Sequence, residues 1–217
     1  MLPFDTVALF LAAGVLLSLS PGPDNVFVLI QSMTHGVRAG AIITLGLCTG
    51  LLVHSAAVIL GVAALFQTSE MAFTILKLTG VAYLIYLAYG ALKASPEKLT
   101  GDEKAIPLSK LYLRGIVMNV TNPKVSIFFL AFLPQFVDLS LNSNSITSEL
   151  VPVSLQMLQL SVIFIIAALL VFNIIAVLAG FMGQKLTESE GIQRWLNRIS
   201  GVVFIGLAMK LALSEQN

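Results

Sequence analysis

Charge is what this sequence has least of. Acidic and basic residues make up 11% of the chain, against roughly 25% in a soluble domain, while 57% of residues are hydrophobic and the mean hydropathy is +0.94. That balance excludes a soluble globular fold and reads as an integral membrane protein. Cysteine occurs once, as Cys48, so neither an internal disulfide nor a two-thiol electron relay can form. Histidine occurs twice, and with so few carboxylates and thiols the apolar core lacks the ligands of a metal site. A net charge of +1 without a basic patch argues against nucleic acid. No glycine-rich phosphate loop is present, which argues against ATP-driven chemistry within this chain, and no cofactor is implied. No Lys or Arg precedes the first apolar run, so that run reads as a span and not as a cleaved leader.

What the chain does have is six long apolar segments, near 4–34, 39–66, 71–93, 111–138, 153–183 and 195–213. Each reaches or approaches the roughly 20 residues that cross a bilayer as helix. The polar links 93–110 and 138–152 are too short for a folded soluble domain. The expectation is therefore one all-α polytopic membrane domain over residues 1–217. Arg38, Lys93, Lys98, Lys104, Lys110, Arg114, Lys185, Arg194 and Arg198 fall on one side of that six-span arrangement, and only Lys77 and Lys210 on the other. By the positive-inside rule both termini lie outside the cytoplasm.

Two of the segments are interrupted. The first contains Ser20-Pro21-Gly22-Pro23-Asp24-Asn25, and Asp24 is the one charge between Thr6 and Thr34. Proline removes a backbone donor, clashes with the preceding turn and pushes its predecessor toward an extended conformation. Asp24 and Asn25 come next, where N-cap residues belong. A carboxylate at this depth costs roughly 2.5–3.5 kcal/mol by insertion scales, so its presence points to a binding site. Segment 4 repeats the device as Asn119-Val120-Thr121-Asn122-Pro123-Lys124, with a lysine too central to reach either interface.

The halves also resemble each other. Lys77-Leu78-Thr79-Gly80-Val81-Ala82-Tyr83-Leu84 matches Arg198-Ile199-Ser200-Gly201-Val202-Val203-Phe204-Ile205, and Leu51-Leu52-Val53 matches Leu169-Leu170-Val171, which sets Ser55 opposite Asn173. The offset from Pro23 to Pro123 is shorter than that from Gly80 to Gly201, so the second half carries an insertion, placed in the Asn/Ser-rich link 140–150. Repeats of three helices run in opposite directions across a membrane. The expected fold is thus two inverted three-helix repeats, about 1–95 and 108–217, with helices 1 and 4 broken near the midplane, where transporters of that plan bind substrate.

The motif Ser20-Pro21-Gly22-Pro23-Asp24-Asn25, the spacing of Gly46, Gly50 and His54, and Asn122-Pro123-Lys124 followed by Phe128-Phe129-Leu130-Ala131-Phe132-Leu133-Pro134-Gln135-Phe136-Val137-Asp138 together resemble the LysE/RhtB family of amino-acid exporters over essentially the full length. The resemblance implies a bacterial-type inner-membrane exporter of amino acids or close derivatives, of the homoserine, threonine or leucine kind. It also implies proton antiport and leaves the substrate open. The alternatives are an exporter of a heavy-metal cation or another small solute, and an intramembrane enzyme, for which no nucleophile-and-base spacing is present.

Asp24 and Lys124 are the sharpest site candidates: they can hold a substrate's ammonium and carboxylate, pair with each other, couple protons, or serve as a structural buried pair. Pro21, Gly22, Pro23, Asn25, Asn122 and Pro123 expose helix ends, whose free N–H and C=O groups attract charge. Gly46, Gly50 and His54 form one stripe of segment 2, readable as close helix packing or, for His54, as a proton carrier. Asn119 and Asn173 can bond a neighbouring helix or a substrate. Gln135 and Asp138 can gate an external mouth. Small-residue faces leave room for a homodimer.

Overall fold

The computed structural model describes residues 2–66, 70–95, 106–137, 153–188 and 190–213, and the described residues are helical throughout apart from short connections. Helices α1 (Phe4–Leu19) and α2 (Pro23–His35) form a pair bent by 59°. A second pair, bent by 49°, joins α5 (Leu108–Val120) to the stretch Pro123–Phe136, which opens with α6 (Pro123–Ile127). After α6 the chain widens into a π segment, Phe128–Phe132, and then tightens into a 3₁₀ turn, Leu133–Phe136. Between these pairs lie α3 (Val37–Phe66) and α4 (Glu70–Lys93); after them come α7 (Val153–Glu188) and α8 (Glu190–Leu213). Among the described residues, helices α3, α4, α7 and α8 are each long and apolar enough to cross a membrane, and with each bent pair as one span there are six, as hydropathy predicts.

The first break is built differently from the sequence expectation. Ser20 is extended, Gly22 is the N-cap of α2 at φ −175°, and Pro23 opens the helix, where its missing N–H is an orphan in any case. Asp24 and Asn25 are therefore not caps but first-turn residues, and Gly22 makes no side-chain cap bond. The second break does use a side-chain cap: Asn122 Oδ1 accepts from the Lys124 N–H at 3.0 Å, with Pro123 first in α6. At both breaks the prolines face out of the bundle while Asp24 and Lys124 face in. An exposed proline presents no N–H to go unsatisfied.

Between α2 and α3 the chain turns on the single residue Gly36, at φ 82°, a conformation costly for any side chain. Packing directions then emerge from close contacts. Gly80 of α4 faces Leu211 near the end of α8, while Gly201 of α8 faces Leu92 near the end of α4, so these helices run antiparallel. Gly40 beside Ala176 and Gly180 beside Val37 make α3 and α7 antiparallel too. Helices α3 and α5 run parallel, with Gly46 against Tyr112 O and Gly115, and Gly50 against Asn119. Lipid tails give apolar helices no reason to associate, so small residues that admit close backbones hold such a bundle. The outer faces of α4 and α8 stay apolar and exposed, with Leu78, Ile85, Val202 and Met209 among them.

Candidate functional site

The two breaks meet inside the bundle, and each charge is held by the other break. Lys124 Nζ donates to Ser20 O at 2.9 Å and to Leu17 O at 3.2 Å, the carbonyls that α1 leaves open where it stops. A cation at a helix C-terminus is favoured by the helix dipole. Gly22 lies close to this contact: a Cβ there would lie 3.1 Å from Lys124 Nζ. Asp24 Oδ2 accepts from Asn122 Nδ2 at 2.9 Å and from Asn119 Nδ2 at 3.4 Å, both at the second break. Asp24 and Lys124 make no direct ion pair; the arrangement is crossed, with asparagine amides and backbone carbonyls between the charges. Asp24 is 2% exposed and Lys124 8%, so these bonds replace water for both.

The remaining predicted residues divide by position. Asn25 ties the break together, its Nδ2 donating to Ser18 O at 2.6 Å. His54 Nε2 lies 3.0 Å from Asn119 O, and its ring packs 5.8 Å from that of Phe129, so it supports the asparagine that reaches Asp24. Gly50 gives Asn119 its room: a Cβ there would lie 2.7 Å from Asn119 Oδ1. Gly46 lies a turn away at the Gly115 contact and touches none of the charged groups. Pro21, Pro23 and Pro123 shape the breaks from outside. Asn173 is not brought to this place, since its Nδ2 donates to Leu169 O in its own helix at 2.7 Å. Gln135 is half-buried in the 3₁₀ turn, and Asp138 lies outside the described residues.

A cavity of about 10 Å³ lies between the breaks, the room of about one water, so no amino acid fits without movement. Its polar lining is Ser18, Asp24, Asn119 and Lys124; its apolar lining is Leu17, Leu51, Val125, Phe164, Ala168 and Phe172. Sequence reading missed the α7 residues and the carbonyls of Leu17 and Ser20. A carbonyl has no residue signature. The α7 set had one: by the offset that sets Ser55 opposite Asn173, Phe164, Ala168 and Phe172 correspond to Gly46, Gly50 and His54.

Four buried oxygens at the breaks have no hydrogen-bond partner: Ser20 Oγ, Asp24 Oδ1, Asn25 Oδ1 and Asn119 Oδ1. Buried acceptors in native proteins nearly always find one. Phe164 of the cavity lining also belongs to a cluster in which Phe10, Phe128, Phe129, Phe132, Phe136 and Phe164 pack ring to ring, with centroids 4.9–6.4 Å apart. Lys210 Nζ covers the Phe136 ring at 3.8 Å.

The family described as LysE type translocator matches residues 15–215. A leucine efflux protein of Klebsiella pneumoniae is 27% identical over 94% of this chain and 92% of its own length. Leucine efflux proteins of Salmonella choleraesuis and of Enterobacter sp. strain 638 are 26% and 28% identical, covering 94% and 89% of this chain and 92% and 89% of their own. No solved structure gives a significant match.

Proposed function

The chain belongs to the LysE type translocator family, and from that premise we propose that it is a secondary transporter that exports amino acids or close derivatives, reading the zwitterion with Asp24 and Lys124. One observation carries this: unused hydrogen-bonding capacity of both signs lines one small cavity. Asp24 Oδ1 and Asn119 Oδ1 are acceptors in want of donors, which an α-ammonium supplies. Lysine has three N–H donors and Lys124 uses two on Ser20 O and Leu17 O, leaving a third for an α-carboxylate. Two charges then meet two charges, so the loaded site stays compensated, whereas one uncompensated buried charge is strongly destabilising. The relatives named leucine efflux proteins support the same reading.

The cavity is too small for substrate, so transport requires the breaks to part toward one side and then the other. Antiparallel packing of α3 on α7 and of α4 on α8, with Pro23-Asp24 corresponding to Pro123-Lys124, supports an inverted-repeat fold rocking about this site. The phenylalanine cluster, with Gln135 beside it, is the outward gate, and both termini lie outside the cytoplasm of a bacterial-type inner membrane. Asp24 takes a proton when the substrate leaves, while Lys124 stays on the carbonyls of Leu17 and Ser20, where the C-terminal end of the α1 dipole favours its charge, which makes the exchange a proton antiport. Open space beside Gly90 and Gly206 leaves small-residue surface for a second copy in a homodimer.

The test is direct. Cells loaded with dipeptides release the resulting amino acids, and release is compared with and without this protein. Faster release of one or more amino acids supports the proposal; identical release across the set, with the protein present in the membrane, rejects it.

A further inference from the structure

The charged end of the cavity accounts for a substrate's head group and says nothing of its side chain. The opposite wall belongs to α7. Phe164, Ala168 and Phe172 lie four residues apart and so on one stripe of that helix, and all three line the cavity while 3%, 1% and 5% exposed. We propose that this stripe is the specificity wall of the export site, seating the substrate's side chain and selecting aliphatic amino acids over those with charged side chains. The proposal rests on the cavity being the amino-acid site.

Three features support it. Among the described residues, Asp24 and Lys124 are the only charged ones lining the cavity, and a zwitterionic head group engages both. A further charge on the side chain would enter an apolar wall without a counter-charge, a heavy cost in a water-poor interior. Second, one end of the wall is tightly packed. The Phe164 ring stands 5.1 Å from the rings of Phe128 and Phe129, and Gly14 gives it room, since a Cβ there would lie 3.0 Å from Phe164 Cδ2. A ring packed this way presents a defined shape to the side chain.

Third, the two halves of the chain differ at this stripe. In α3 the corresponding residues are Gly46, Gly50 and His54, which bring α5 close and support Asn119. In α7 two bulky rings flank one alanine, so the site is polar toward α5 and apolar toward α7. Ala168 is the gap between the rings, the place where branching or length of a substrate side chain is felt.

The experiment uses the full-length protein in liposomes loaded with all the standard amino acids, with efflux of each read by mass spectrometry. The parent should export leucine, isoleucine, valine and methionine at least about a hundredfold faster than lysine or glutamate, while an added hydroxyl, as in threonine, is rejected more weakly. Phe172→Ala should raise phenylalanine relative to leucine by about tenfold. Ala168→Leu should depress leucine and spare glycine and alanine. If Ala168→Leu does not give folded protein, Phe172→Leu, which opens the wall less, should shift the ranking in the same direction as Phe172→Ala. Efflux of amino acids with lysine or glutamate preferred, or with a ranking unchanged by the folded variants, overturns the wall alone. Efflux of no amino acid by the folded parent overturns the amino-acid reading and the wall with it.

Discussion

At the scale of residues, the site turns on Asn122 as much as on the charges. Its Oδ1 caps α6 by accepting from the Lys124 N–H, and its Nδ2 donates to Asp24 Oδ2, so one side chain both starts the helix that carries the lysine and holds the aspartate. Asn122→Ala removes a cap, worth about 1 kcal/mol, and a hydrogen bond to a charged group, worth about 1.5–3 kcal/mol. Thermal unfolding in detergent should show a loss of about 2–4 kcal/mol, larger than for a cap alone; a loss under about 0.5 kcal/mol would mean that Asp24 has another holder. Asp24, Lys124 and Asn122 were legible in the sequence because charge and proline within an apolar run are expensive and therefore conspicuous. The crossing of the two charges was not legible, since Lys124 binds the carbonyls of Leu17 and Ser20, and any residue can offer a carbonyl. The capping role expected of Asp24 failed for a local reason: Pro23 takes the first helical position and moves the cap back to Gly22.

At the scale of elements, α3 and α5 approach through Gly46 and Gly115. A Cβ on Gly115 would lie 2.6 Å from Ile43 O and 3.2 Å from Gly46 Cα. Gly115→Ala therefore forces the helices apart, at a cost of about 1–3 kcal/mol. Because α5 carries Asn119 toward Asp24, export should fall with stability. A stable Gly115→Ala protein with parental efflux would show that this contact does not position the site. The helix spans themselves were legible from hydropathy, and so were the two bends from proline. The π segment was not: Phe128-Phe129-Leu130-Ala131-Phe132 reads as ordinary apolar helix, and only its packing of rings on Phe10, Phe136 and Phe164 makes the wider turn worthwhile. Such segments recur at functional sites, and this one begins four residues after Lys124.

At the scale of the whole molecule, the inverted-repeat reading requires an orientation. Reporters fused after Asn217 and in link 140–150 should report from outside the cytoplasm, and fusions in 95–105 from inside; a cytoplasmic reporter at the C-terminus of an active carrier would overturn the orientation and the inverted-repeat reading together. Proton antiport predicts that efflux from loaded vesicles slows when the pH gradient and the membrane potential are collapsed, each charge moved being worth about 2.3 kcal/mol per 100 mV. Unchanged efflux after an uncoupler would leave facilitated diffusion. The central claim is that a zwitterion is read by two charges, each held at the other's break. Its most direct measurement is amino-acid efflux from liposomes containing the parent, Asp24→Asn or Lys124→Met, with folding of each checked by thermal unfolding. Losing one charge-assisted contact to the substrate should slow efflux by about a hundredfold in either variant, whereas near-parental efflux by a folded form of either would contradict the account.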